Sequence, residues 1–284
     1  MKAECIWRAR AQIGEGSLWD ERTNRLYWVD IPRGELHRFD PADGSDELLL
    51  AADEPLGTVV LGEDGTPVGA WASGLYRVAD GHRTLLAAAP DPQPTLRFND
   101  GKCDPAGRLW VGTMTTDNGR TGTGNLYRVD GAQFTPMVRG TKISNGIVWS
   151  PDRHTMYYTD TPEGVVWAYD YEEETGAITN RRTVVTIDRG GPDGMTIDRE
   201  GMLWVAQWGG SQVGRWDPAT GRKLAQVDVP AVQVSSCAFG GPGLATLYIT
   251  TAAIGTDERA QPLAGSLFAV ETGTAGLPAF RYRG

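Results

Sequence analysis

The stretch Arg97–Met114, RFNDGKCDPAGRLWVGTM, holds in order a polar triplet (Asn99-Asp100-Gly101), a turn (Asp104-Pro105-Ala106-Gly107) and a strand-forming run from Arg108 to Thr113. The same order returns along the chain with other polar residues leading. Short runs rich in aromatic and β-branched residues fall into pairs, separated by turn clusters such as Asp40-Pro41-Ala42-Asp43-Gly44 and Glu63-Asp64-Gly65. LYWVD from Leu26 is followed by ELHRF from Glu35, and PVGAWA from Pro67 by GLYRV from Gly74. RLWVGT from Arg108 precedes NLYRV from Asn125, and MYYTD from Met156 precedes VVWAYD from Val165. MLWVAQW from Met202 with QVGRWD from Gln212, and TLYITT from Thr246 with SLFAV from Ser266, complete the series. Equivalent first members lie roughly 41 to 47 residues apart, the length of one four-stranded propeller blade.

Six pairs predict an all-β, six-bladed β-propeller occupying residues 1–284 as one domain, since no linker of biased composition interrupts the repeat. Closure is expected from a terminal strand near Cys5–Arg10 pairing with the last strands around Pro278–Tyr282, which removes the open edge. Composition agrees: helical periodicity is nearly absent, while Gly (37), Pro (17) and Trp (10) are abundant. A net charge of −9 argues against nucleic acid or an anionic membrane as partner. Three scattered cysteines without CxxC spacing argue against a disulfide scaffold or a structural zinc cluster. The opening MKAECIWRARAQIG lacks the apolar core of a signal peptide, and no run reaches the length of a membrane span. The expected location is the cytoplasm.

Counting back about ten to twelve residues from each first strand reaches Glu15, Gly57, Asn99, Asn145, Asp193 and the Ser235-Ser236 pair. In a propeller such equivalent positions are related by rotation about the central channel and meet at one mouth of it. Four oxygen-bearing side chains, Glu15, Asn99, Asn145 and Asp193, then converge. Each alone also reads as a turn former, since Asn-Gly and Asp-Gly are common hairpin signals. Together they pose a conflict, because clustered carboxylates resist ionisation. A divalent cation resolves it, and hard oxygen donors suit Ca2+ or Mg2+ and accept Mn2+, Fe2+ or Zn2+.

Other chemistries fit poorly. His37, His82 and His154 have no recurrent spacing, and neither a G-x-S-x-G elbow nor a phosphate-binding glycine loop is present. Trp19-Asp20 and Trp216-Asp217 occupy unrelated places in the repeat, unlike the signature of WD-repeat propellers. LYWVD and MYYTD are similar to the strand motif of YWTD-type binding propellers, which keeps a non-enzymatic reading open.

GEGSLWD (Gly14–Asp20), RFNDGKCDPAGRLWVGTM, ISNGIVWSPD (Ile143–Asp152), GGPDGMTID (Gly190–Asp198) and CAFGGPGLATLYITTA (Cys237–Ala252) resemble the SMP-30/gluconolactonase family, also called regucalcin-like. The likeness runs in order through nearly the whole chain. It implies a six-bladed propeller, a single divalent ion (Ca2+, Zn2+, Mn2+ or Fe2+) held by Glu15, Asn145 and Asp193, and substrate contacts from Arg97 and Asn99. The implied reaction is hydrolysis of a pentono- or hexonolactone to the aldonic acid, within sugar oxidation, with Asp193 as candidate general base. Gluconolactone-acting members often carry a Glu shortly before the strand after GTM. Here Thr115–Gly124 holds Arg120 instead, so that segment and the Trp208-Gly209-Gly210 loop are the expected specificity elements. The expected assembly is a monomer or a homodimer. Two other readings stay open: a propeller that binds calcium without turnover, and a metal-dependent esterase of other specificity.

Overall fold

Each pair of runs becomes the middle of a four-stranded antiparallel meander. In the first unit the strands are Gly14–Asp20, Arg25–Asp30, Glu35–Asp40 and Ser45–Ala51, paired in that order. These positions belong to a computed structural model, which describes residues 1–91, 95–116 and 122–284. Every element among them is a strand apart from two three-residue 3-10 turns, Thr161–Glu163 and Pro242–Leu244. The gradient of burial across a unit explains its sequence. LYWVD is buried from Leu26 to Asp30, and the innermost strand is buried throughout, because both faces of each are covered by neighbouring sheets. The outermost strand, Ser45–Ala51, is half exposed and accordingly reads SDELLLA.

Hydrogen bonding divides the strands into four four-stranded sheets and one eight-stranded sheet, a propeller-like arrangement. Six separate sheets were expected. The difference comes from one bridge, Trp208 to Gln233, which joins the meander beginning at Gly191 to the one beginning at Gln233. The innermost strands, Gly14–Asp20, Leu56–Leu61, Leu96–Cys103, Ser144–Trp149, Gly191–Ile197 and Gln233–Gly240, each touch the next, and the last touches the first. The core lies in the wedges between units. Between the third and fourth, for example, Trp110, Leu126, Ile147, Trp149 and Tyr158 pack together.

The closing contact differs from the expected one. Glu4–Trp7 pairs with Leu267–Glu271, not with Pro278–Tyr282. The segment after Glu271 turns beneath the innermost strands instead. Gly276 bridges Asp198, and six residues on Tyr282 bridges Gly62, with Tyr282 N donating to the Leu61 carbonyl at 2.8 Å. Pro278 supplies no N–H, so a sheet interior suits this tail poorly. Among the described residues no helix is long and apolar enough to cross a membrane.

Candidate functional site

All six innermost strands break register at the same place. The irregularity falls between Glu15 and Leu18, Leu56 and Val59, Phe98 and Gly101, Ser144 and Ile147, Pro192 and Met195, and Val234 and Ser236. A bulge bends the strand and re-aims its side chains. Here it lets consecutive polar residues, which a regular pleat sends to opposite faces, be buried towards the ring's interior. The strands must come very close to do this. A Cβ on Gly146 would lie 2.4 Å from the Asp193 carbonyl oxygen, and one on Gly194 would lie 2.6 Å from Ser236 Oγ. Only glycine fits after Asn145 and Asp193.

Glu15, Asn99, Asn145 and Asp193 are brought together by these bulges, each at most 5% exposed. Gly16 N donates to Glu15 Oε2 at 2.9 Å. The Asn99 amide is used at both ends: Arg97 Nη1 donates to its Oδ1 at 2.8 Å, and its Nδ2 donates to the Ser144 carbonyl at 2.8 Å. Asn145 Nδ2 donates to Thr161 Oγ1 at 3.0 Å, which leaves the amide oxygen free to face elsewhere. Thr161 opens a 3-10 turn, and no sequence signal marked it as a partner of the site. Trp208 is half-buried at the same mouth, its backbone opposite Gly191 and Gln233. Arg120 lies outside the described residues.

One acidic residue was passed over. Asp100 is 4% exposed, its Oδ1 accepts from Gly101 N at 2.7 Å, and its Oδ2 has no partner. It was visible in the sequence as the middle of Asn99-Asp100-Gly101, but strand alternation turns it away from the channel if Asn99 points in. Only the bulge reverses that.

The three acids burden each other. Burial pushes the Glu15 carboxyl up to about 8, with Asp100 adding to the push and the Gly16 amide opposing it. Burial, then Glu15 and Asp100, holds Asp193 well above the ordinary aspartate range. Asp100 is raised by burial, against the pull of Lys102. The Arg97 guanidinium is lowered to about 10 by burial, though Glu15 and Asp193 favour its charge. Arg97 and Lys102 together therefore do not neutralise the three acids.

Three buried acceptors in this group find no donor: Asp100 Oδ2, Asn145 Oδ1 and Asp193 Oδ1. Buried polar atoms are normally satisfied, so three orphans of one kind at one place call for an electropositive partner. Among the described residues no cluster of three His, Cys, Asp or Glu side chains is poised as a metal site by itself. The amide oxygen of Asn145 is what completes this donor set. Oxygen donors of this kind, carboxylate with amide, fit a hard divalent ion.

Residues 13–253 match the model of the SMP-30/Gluconolactonase/LRE-like region. Pentonolactonase XacC of Haloferax volcanii is 41% identical over 281 residues, spanning 95% of this chain and 94% of its own. Regucalcin of Danio rerio is 38% identical over 299 residues, spanning 100% and 99%. The solved structure of a calcium-binding protein, regucalcin, from Agrobacterium tumefaciens superposes with a TM-score of 0.93 at 30% identity, covering 100% of this chain and 97% of that one. The sheet arrangement, the acidic mouth and these likenesses agree, and the chain belongs to the SMP-30/gluconolactonase family.

Proposed function

We propose that the protein is a six-bladed propeller, its eight-stranded sheet counting as two blades, that hydrolyses a sugar-acid lactone to the aldonic acid with the help of one divalent cation. The observation that carries this reading is the trio of unpartnered acceptors on Asp100, Asn145 and Asp193 beside the raised carboxyl of Glu15. Similarity to a pentonolactonase supports the lactone as substrate class. Glu15, Asn145 and Asp193 hold the ion, with Asp100 close enough to add its charge. Bound there, a divalent cation supplies Lewis acidity and offsets the acids' repulsion.

The chain's own groups do the rest. Asn99, clamped by Arg97 and the Ser144 carbonyl, presents a fixed amide to sugar hydroxyls. Arg97, still cationic, faces the negative charge that develops on the carbonyl oxygen. Asp193 takes a proton from the attacking water as the water oxygen bonds to the lactone carbonyl carbon, and the ring C–O bond then breaks, its oxygen taking that proton from Asp193 to give the hydroxy acid. Trp208 walls the mouth, and Arg120 remains a proposed contact in the segment that sets substrate choice.

The test is a panel of pentono- and hexonolactones assayed with and without chelator. Ring opening of one lactone that chelator abolishes and divalent ion restores is the expected result. Tight metal binding with no turnover on any lactone overturns the enzyme in favour of a calcium-binding propeller, the reading that similarity to regucalcins supports. Turnover of aryl esters alone points to an esterase of other specificity.

A further inference from the structure

The strand that carries Asn145 is tied to the mouth turn of its own unit by contacts that recur in the first unit. In the fourth unit Asp160 accepts from Lys142 N and Ile143 N, at 2.8 and 2.7 Å. Thr161 N donates to the Ile143 carbonyl at 3.1 Å, and Gly164 N donates to the Thr161 carbonyl at 3.2 Å. In the first unit Asp30 accepts from Gln12 N and Ile13 N, at 2.9 and 3.0 Å. Ile31 N donates to the Ile13 carbonyl at 3.0 Å, and Gly34 N donates to the Ile31 carbonyl at 3.1 Å. The two frames match residue for residue. Asn145 stands where the first unit has Glu15, and Thr161 stands where it has Ile31.

The two differences belong together. An ionised carboxylate only accepts, whereas an amide carries two N–H donors beside its oxygen. Glu15 therefore has no N–H to place, and the residue at position 31 is a buried isoleucine. Asn145 does have one to place, and its Nδ2 donates to Thr161 Oγ1 at 3.0 Å. That bond takes up the nitrogen end of the amide and leaves Oδ1 as the end without a partner. A cation attracts the oxygen and repels the N–H groups, so the amide serves as a ligand only if its nitrogen end has an acceptor elsewhere. Thr161 is itself held in place. Pro162 follows it in the turn, and a Cβ on Gly191 would lie 2.8 Å from Thr161 Cγ2. Branching at Cβ leaves threonine few side-chain rotamers. Contact of its methyl with Gly191, two residues before Asp193, selects the one that keeps the hydroxyl on Asn145.

We propose that Thr161 is a positioning residue for the divalent ion. Its hydroxyl takes the Asn145 N–H and so presents the amide oxygen to the ion, while its methyl sets that hydroxyl against the neighbouring strand that bears Asp193. The assignment rests on the ion-binding reading of Asn145. Thr161→Val keeps the shape and removes the acceptor. The Asn145 N–H then loses its partner, or the amide turns its nitrogen towards the place of the ion.

Ca2+ and Mn2+ are the probes, each titrated calorimetrically into the metal-stripped full-length protein. Thr161→Val should weaken ion binding about tenfold, the lower end for removing a group that orients a ligand. Thr161→Ser, which restores the hydroxyl, should recover most of that loss. In an Asn145→Asp background the same Thr161→Val change should cost nothing further, because a carboxylate has no N–H to place, as with Glu15 beside Ile31. Thr161→Ala takes the place of Thr161→Val should that variant fail to fold. Unaltered ion affinity without the hydroxyl, an equal loss in Thr161→Ser, or the same tenfold loss in the Asn145→Asp background each overturns the assignment. Uptake of neither ion by the wild-type protein overturns the ion site itself and Thr161 with it, and the first titration tells that failure apart from the others.

Discussion

Glu15 binds its proton more tightly in the folded protein, at about 8, than the ordinary 4.5 of an unfolded chain. The folded state thus holds an extra proton between those values. Its contribution is intact below about 4.5 and is lost as pH rises through about 8. The metal-free protein should accordingly melt lower at about pH 9 than at about pH 5, and saturating divalent ion should close the gap. Calorimetric scans with and without chelator check this, and a Tm that rises with pH in chelator contradicts it. Asp193→Asn separates two duties of one residue. The amide retains an oxygen donor and cannot take a proton, so turnover should fall by about 10²–10⁴-fold, while the ion still raises Tm. Loss of the Tm response together with activity would make Asp193 a ligand only.

At the scale of the strand, the bulge explains both what the sequence disclosed and what it hid. The recurring Gly after Asn145 and Asp193 was legible as a repeat, and the residues before it are ones the fold brings together. That glycine's reason is a close approach between strands, which no single strand records. Gly146→Ala forces a Cβ to within 2.4 Å of the Asp193 carbonyl. It should cost about 1–3 kcal/mol in urea denaturation and weaken metal binding alongside. Asp100 stayed hidden because alternation, the rule that found the strands, points it the wrong way. Asp104 has a different office. Fully buried, it accepts from Trp110 Nε1 at 2.9 Å, Arg108 Nε at 2.7 Å and Tyr171 Oη at 2.8 Å, the last from the next unit. Asp104→Ala leaves the buried Trp110 Nε1 without its acceptor and should cost about 1–3 kcal/mol, read from denaturation midpoints, with the metal response of the folded fraction unchanged. Asp198 repeats part of this arrangement, accepting from Trp204 Nε1 at 2.9 Å and Arg215 Nε at 2.8 Å.

For the molecule as a whole, strand pairs and their period were readable because each unit is built from contacts local in sequence. Closure was read only in outline, since which late segment meets the first strand depends on contacts more than 250 residues apart. SLFAV is a continuous strand-forming run suited to that role, and Pro278–Tyr282, taken by position alone, is not. Removing residues 1–7 should leave Leu267–Glu271 with an open edge. Size-exclusion chromatography of the truncated protein should show higher-order species where the intact chain elutes as one. An unchanged profile and an unchanged Tm would mean that closure adds little.

Pairing Glu4–Trp7 with Leu267–Glu271 also sets a clock. Glu4–Trp7 leaves the ribosome about 260 residues ahead of its partner. At about 5–20 residues per second the wait is roughly 10–50 s. For that interval the nascent protein carries an unmatched leading segment, and a ribosome that stalls late releases five finished units around a gap. Chaperone demand during synthesis should therefore depend less on the stability of the finished ring than on how quickly its last strand arrives.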